Sequence, residues 1–433
     1  MAVTGRAVAL AFAAVPVVLA AGALAAWAAW ASVALVVVLI GADAALAPSA
    51  RRVRLERSGD TSVRLGETAR VELVVANPSG RALRGVLRDA WPPSTGADPA
   101  RHRLRVPGGE RRRLETVLRP KRRGDHASAG VTVRCLGPLG LAARQATHTV
   151  PWSLRALPPF HSRRHLPGKL ARLRELDGRT SALVRGQGSE FDSLREYVPG
   201  DDVRSIDWRA TARRESVVVR TWRPERDRRI LLVLDTGRTS AGRVGDEPRL
   251  DHSMDAALLL AALAAKAGDR VDLLAFDRRV RAQVRTRGRG TSVPAMVQAM
   301  APLEAALVES DPAAMAASVL GGQGRSRRLV VLLTDLNASA LEEGLLPMLP
   351  ALTSRHTVML AAVSDPAVEA MAAERGDAHA VYRSAAARRT MADRRRVTAE
   401  LRKRGVEVVD APPETIAPAL ADAYITMKAQ GRL

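Results

Sequence analysis

Residues 188–220 read GSEFDSLREYVPGDDVRSIDWRATARRESVVVR, and the apolar run Ile230–Leu234 follows shortly after. The segment places Glu190, Asp192, Arg195, Glu196, Asp201, Asp202, Arg204, Asp207, Arg209 and Arg213 among Phe191, Leu194, Tyr197, Ile206 and Trp208. Charges at that density without large apolar groups cannot offset chain entropy. The rings and aliphatics here predict ion pairs held against packed apolar groups. Two readings follow: a connector that braces neighbouring domains through internal pairs, or a surface that receives a partner or ligand. If the pairs are internal, Asp201, Asp202 and Asp207 answer Arg195, Arg204 and Arg209 or Arg213. Removing Asp202 should then unfold or deplete the protein.

Downstream, apolar strands alternate with amphipathic helices. Strands are expected at Ile230–Leu234, Arg270–Phe276, Val280–Val284, Arg328–Thr334, Thr357–Val363 and Val406–Val409. Helices are expected at Met254–Lys266, Ser292–Val308, Leu341–Leu352, within Ala385–Arg404, and at Ile416–Met427. This alternation predicts an α/β domain, a doubly wound and mainly parallel sheet with Val280–Val284 as an antiparallel edge. Ligands of such sheets sit outside the carboxyl ends of the strands. The first strand ends in Asp235-Thr236-Gly237-Arg238-Thr239 and a later one in Asp335, while Arg287-Gly288-Arg289-Gly290-Thr291 is a glycine-rich loop that opens a helix.

Upstream, between Arg51 and Phe160, the pattern has period two, as in Val71, Leu73 and Val75. Asn77-Pro78-Ser79-Gly80, Pro107-Gly108-Gly109 and Gly137-Pro138-Leu139-Gly140 punctuate it as turns. Short strands between such turns predict an all-β, immunoglobulin-like sandwich. The single cysteine, Cys135, lies in an alternating segment and reads as a small buried hydrophobe. Phe160–Arg185 reads as a charged, helical linker.

From Ala7 to Ala42 no residue is charged. That run exceeds the roughly 20 residues of one spanning helix and predicts a transmembrane hairpin, Ala7–Ala23 and Trp27–Leu46, turning near Gly22. Trp27 and Trp30 suit the membrane interface, and Arg6 with Arg51, Arg52, Arg54 and Arg57 puts both flanks in the cytosol. A cleaved signal peptide ending near Ala23–Ala26 is the competing reading.

The net charge of +22 comes from arginine, since only five lysines occur. Basic surface attracts nucleic acid or anionic lipid, but the arginines are scattered and no zinc-finger, RNP-type or helix-turn-helix pattern accompanies them. No phosphate-binding Gly-x-x-x-x-Gly-Lys loop, His-Glu-x-x-His or Gly-x-Ser-x-Gly motif occurs, and the eight histidines are dispersed.

The run GSEFDSLREYVPGDDVRSIDWRATAR, with Arg122-Arg123-Gly124 and Gly137-Pro138-Leu139-Gly140-Leu141, resembles the bacterial family catalogued as domain of unknown function fifty-eight. Members carry a von Willebrand factor A-like domain after this signature. The resemblance implies a transmembrane anchor over residues 1–50, a β-sandwich over 51–160, a linker and signature over 161–229, and a von Willebrand A-like domain over 230–433. Its signature residues here are Glu190, Arg195, Tyr197, Asp201, Asp202, Arg204, Asp207, Trp208 and Arg213. In von Willebrand A domains a divalent metal is held by an Asp-x-Ser-x-Ser loop, a threonine and a later aspartate. Asp235, Thr239, Thr291 and Asp335 match that set, and Gly237 does not. The implied site is either a weak Mg2+ site with water at the lost hydroxyl position, or a degenerate one in which arginines, with Arg238 adjacent, neutralise the two aspartates. Family members are often encoded beside MoxR-type AAA+ ATPases and transglutaminase-like membrane proteins. The expected function is therefore a membrane-anchored, cytosol-facing interaction scaffold for such an ATPase in envelope or complex assembly, not an enzyme. The alternatives are a metal-dependent hydrolase using Asp235 and Asp335, and a secreted adhesion module.

Overall fold

A computed structural model describes all residues except 1, 21–24, 184–189, 200, 214–215, 224–227, 287–292 and 322–326. The chain divides into two units, Met1–Leu157 and Pro158–Leu433.

In the first unit, alternation becomes strand because successive side chains point to opposite faces. Along Ala69–Ala76, the side chains of Ala69, Val71, Leu73 and Val75 are buried and Arg70 is exposed. This strand lies between Arg54–Gly59 and Arg111–Leu118 in an antiparallel sheet. A second antiparallel sheet runs Ala2–Val3, Ala142–His148, Gly130–Leu136, Leu83–Ala90, Arg101–Val106. Leu73, Val75 and Leu114 of the first share one core with Leu87, Val131 and Val133 of the second, so the two sheets pack face to face. Cys135 belongs to that core, and burial pushes its thiol up to about 11. It stays protonated and acts as an apolar filler. The same unit encloses an ion pair, Arg57 with Asp89, each side chain 1 % exposed.

Two apolar helices, Gly5–Ala20 and Ala25–Leu46, precede the sheets. One N-terminal stretch, Ala29–Arg52, is long and apolar enough to cross a membrane, and Gly5–Pro16 is a shorter apolar helix. Trp27, Trp30, Val37 and Val38 are exposed, and Gly22, where the hairpin turn was expected, lies outside the described residues. Both ends of the helical pair are tied to one edge of the second sheet. Ala2–Val3 pairs with Ala142–Ala143, and the Thr4 hydroxyl donates to Gly140 O at 2.6 Å. At the other end, buried Asp43 accepts the N–H groups of Leu139, Leu141 and Ala142, each at 2.7 Å. A Cβ at Gly137 would lie 2.3 Å from the Asp43 carboxyl, so the predicted turn needs glycine to let the carboxylate in.

The second unit is built on a six-stranded sheet. Its strands are β1 (Arg229–Asp235), β2 (Arg270–Phe276), β3 (Val280–Val284), β4 (Leu329–Leu333), β5 (Thr357–Val363) and β6 (Glu407–Ala411). The order is β3-β2-β1-β4-β5-β6, with only β3 antiparallel to its neighbour. Ile230–Leu234 and Leu329–Leu333 are buried on both faces, as a sheet covered on both sides requires. Four helices matter below: α1 (Arg249–Lys266), α2 (Pro312–Leu320), α3 (Ala378–Lys403) and α4 (Pro413–Ala429).

Several sequence expectations are corrected. Ser292–Val308 is not one helix: Val293–Met300 is helical, and Pro302, which has no N–H to continue the ladder, follows its end. Leu341–Leu352 is broken into a π-helical turn, Leu341–Leu345, and the helix Leu346–Thr353. Helix α2 and Pro366–Ala373 were not expected, being short and alanine-rich. Each opens on Asp-Pro, with Asp311 accepting from Ala314 N and Asp365 from Ala367 N, both at 2.9 Å. The supposed linker belongs to this unit. Ser162 Oγ bonds the Asp255 carboxylate at 3.0 Å, and Lys169 in Leu166–Leu183 pairs with Asp422 of α4 at 2.6 Å.

Candidate functional site

Strand β1 pairs with β2 on one side and β4 on the other, so the chain leaves it in opposite directions and a crevice opens beyond its carboxyl end. Asp235 terminates β1, and Asp335 stands two residues past the end of β4. Among the described residues, Asp235 accepts four protein donors. Its Oδ1 takes the Gly237 N–H at 2.8 Å and the Ser310 hydroxyl at 2.5 Å. Its Oδ2 takes the hydroxyls of Thr239 at 3.0 Å and Thr334 at 2.6 Å. Asp335 is clamped by two arginines, Arg249 of α1 on Oδ2 at 3.0 Å and Arg394 of α3 on Oδ1 at 2.7 Å. Arg394 continues to Asp410 at 2.7 Å. Burial disfavours the Arg394 charge, but the carboxylates of Asp410 and Asp335 outweigh it and hold the guanidinium above its ordinary range.

The geometry corrects two sequence readings. Arg238 does not neutralise the aspartates: its side chain points to Glu309 at 2.9 Å in an exposed pair. The lost hydroxyl is not left to water either. A Cβ at Gly237 would lie 2.2 Å from Ser310 Oγ, so Ser310 occupies the space a serine at 237 would need and delivers its own hydroxyl to Asp235. Gly237→Ser is therefore expected to destabilise by about 1–3 kcal/mol through overpacking. Thermal unfolding of the full chain checks it, and an unchanged midpoint would refute the swap. Thr291 lies outside the described residues.

Mg2+ demands near-octahedral oxygen coordination with its ligands free to face it. Both oxygens of Asp335 already hold guanidinium groups, and the roughly four acceptor positions of Asp235 are filled. A divalent cation placed here would meet two fixed positive charges, so this donor set does not fit it. Among the described residues no group of three or more His, Cys, Asp or Glu is placed to hold a metal.

The signature segment forms an antiparallel pair, Glu190–Glu196 with Val218–Arg223, and an excursion between them. Arg195 meets Asp201 at 2.5 Å, as one of the expected pairs. The others differ. Asp202 accepts from Arg204 N at 3.0 Å and caps the turn Val203–Ser205. Asp207 accepts from Arg209 N and Ala210 N, each at 3.0 Å, and pairs with Arg220 at 2.8 Å rather than with Arg209 or Arg213. Tyr197 N donates to Val217 O, and Arg213 N to Ala210 O. Trp208 is 67 % exposed and is not part of a core. Since Asp202 is an exposed cap, Asp202→Ala should cost only about 1 kcal/mol, not unfold the protein. Denaturant titration separates the two outcomes, and Asp207→Ala should shift the midpoint more.

Sequence reasoning also missed a cavity of about 610 Å3 that gathers His161, His165 and His252 with Asp251 and Asp255. His161 and His165 are close in sequence but His252 is remote, and the fold of Pro158 onward over α1 brings it to them. Burial pushes the Asp255 carboxyl up, against the bonds from Ser162.

Residues 193–404 match the model of the family described as Protein of unknown function DUF58, so the resemblance read from the signature is borne out over that span. The uncharacterized protein Rv1480 of Mycobacterium tuberculosis is 29 % identical over 193 residues, which is 44 % of this chain and 60 % of that protein. The chain thus spans less than two thirds of that relative. The uncharacterized protein YeaD of Bacillus subtilis is 29 % identical over 115 residues, 26 % of this chain and 28 % of that protein. Among solved structures, the CARDB domain of a Pyrococcus furiosus protein is similar to 22 % of this chain at 16 % identity and a TM-score of 0.16, with 85 % of that domain covered.

Proposed function

Starting from a DUF58 match over residues 193–404, we propose that this chain is a membrane-anchored interaction scaffold whose second unit is von Willebrand A-like and docks a partner at the Asp235/Asp335 crevice. The clamping of Asp335 by Arg249 and Arg394 carries the reading. Among the described residues, both carboxylates of the crevice are held by protein donors, which suits a rigid docking face. A hydrolase would need an open metal position and a base within reach of its water. The strand order with one antiparallel edge supports the von Willebrand A-like assignment. The partner expected from the family resemblance is a MoxR-type AAA+ ATPase, in envelope or complex assembly.

Anchoring by a two-helix hairpin, with both soluble flanks in the cytosol, is supported by the pairing of Ala2–Val3 and the clasp on Asp43 at the same sheet edge. Cleavage near Ala26 would discard the first of these ties, which speaks against the secreted adhesion reading. Alkaline phosphatase activity from a fusion after Leu433 would refute the cytosolic topology.

The docking reading is tested by affinity purification of the tagged full chain from its own membranes, followed by mass spectrometry. Recovery of an AAA+ ATPase, insensitive to chelator and lost in Leu307→Arg, is expected. Leu307 is 82 % exposed on the loop that carries Ser310. Retention of all partners in Leu307→Arg would sink docking at this face, and loss on chelation would restore a metal-bridged contact.

A further inference from the structure

The crevice opens onto a cavity of about 280 Å3. Its floor is apolar and belongs to the sheet core: Val233, Phe276, Met315, Leu332, Leu341 and Leu345, all buried. The π-helical turn Leu341–Leu345 supplies one wall, a local geometry often found at functional sites. The mouth has a different character. Glu309, Asp311 and Glu343 line it, all exposed, and Asp235 lies beside them with, among the described residues, only neutral donors on its carboxylate. Among the described residues, Arg238, on Glu309, is the cation that lines the mouth. On a chain of net charge +22, an acidic mouth over an apolar floor is a local inversion of the surface field.

Pockets for drug-sized molecules run from about 300 to 1,000 Å3. This cavity lies just below that range and has room for one large side chain with space to spare, since a benzene-sized group fills about 150 Å3. Leu307, two residues before Glu309 on the loop that brings Glu309 and Ser310 to the cavity, is an exposed apolar side chain. We infer that the cavity is a socket for one apolar side chain of a partner polypeptide, leucine- or phenylalanine-sized, flanked in the partner by lysine or arginine. Anchoring side chains that fill a desolvated pocket within a polar rim carry most of the affinity of such contacts. The acidic rim selects the flanks by complementarity. This inference rests on the docking reading above and specifies its chemistry: an apolar knob between basic residues, in place of an acidic side chain bridged through a metal.

The test uses the full chain in detergent micelles over an array of glycine-serine dodecapeptides. The central residue is Leu, Phe or Ala, and the flanks are either Lys or Glu. Leu- and Phe-centred peptides with Lys flanks should be retained about tenfold or more over their Ala-centred counterparts. They should also exceed the Glu-flanked versions. The second comparison is diagnostic because the net charge of +22 by itself favours Glu flanks. Ala340→Trp, at an exposed position lining the cavity, should abolish the preference while leaving the thermal midpoint unchanged. Glu309→Lys combined with Glu343→Lys should reverse the flank preference. Equal retention of Ala- and Leu-centred peptides, a Glu-flank preference in the parent, or binding that survives Ala340→Trp would each overturn the socket. A partner that still co-purifies and is still lost in Leu307→Arg, alongside a failed array, would discard the socket and keep the docking face. A partner retained in Leu307→Arg discards the docking reading itself.

Discussion

Asp89→Ala is expected to destabilise the first unit by about 3–5 kcal/mol, because it leaves the Arg57 guanidinium buried without its counter-charge. Both side chains are 1 % exposed. Asp89 also accepts the Trp91 indole N–H at 2.9 Å, and Arg57 lies over the Trp91 ring at 5.2 Å, so the carboxylate holds three groups together. Burial alone pulls the Arg57 pKa below its ordinary value, against the attraction of Asp89. Removing Asp89 removes the counter-charge that holds the guanidinium charged inside. Even in the intact pair, Nε and Nη1 of Arg57 are buried without a hydrogen-bond partner. The double replacement Arg57→Met with Asp89→Leu should therefore recover most of the loss, since it removes both desolvation costs together. Chemical denaturation of the full chain in micelles measures the cycle. A double variant as unstable as Asp89→Ala would mean that packing around Trp91, and not the buried charge, sets the cost.

Asp335→Ala should be nearly as damaging, about 3–5 kcal/mol, and its sign discriminates between two kinds of crevice. Asp335 is 11 % exposed, and each of its arginines is 16 % exposed. Deleting the carboxylate leaves two guanidinium groups, Arg249 and Arg394, without the acid between them, and Arg394 keeps Asp410 of β6. In a metal-binding crevice assayed with chelator, the opposite is expected: losing one of two clustered carboxylates relieves repulsion and stabilises. The thermal midpoint of Asp335→Ala in chelator is thus the measurement. A rise would overturn the arginine clamp. Arg394→Met should be less damaging, because Arg249 still balances Asp335.

The expected elements were legible where burial repeats along the chain. Val71, Leu73 and Val75 announce a half-buried strand, and the unbroken run Ile230–Leu234 announces one covered on both faces. The carboxyl ends of those strands could be named from the same pattern, and Asp235, Thr239 and Asp335 do stand in one crevice. Helix limits were poorer where Asp-Pro starts a short alanine-rich helix, as at Asp311, because no wide apolar stripe marks it.

What the sequence by itself determined is the set of surfaces that must be hidden: an uncharged N-terminal run, a period-two middle and an alternating α/β half. The tertiary structure decided which polar groups neutralise one another. Arg249 and Arg394 reach Asp335 across 86 and 59 residues, and Asp43 reaches Leu141 across 98. Ser310 reaches Asp235 across 75 residues and takes the space that Gly237 leaves open. Burial of apolar groups leaves a periodic trace because it acts on every turn or every second residue of one element. A hydrogen bond between distant side chains is made once, between two loops whose meeting is set by strand order and crossover, and so leaves no local pattern to read.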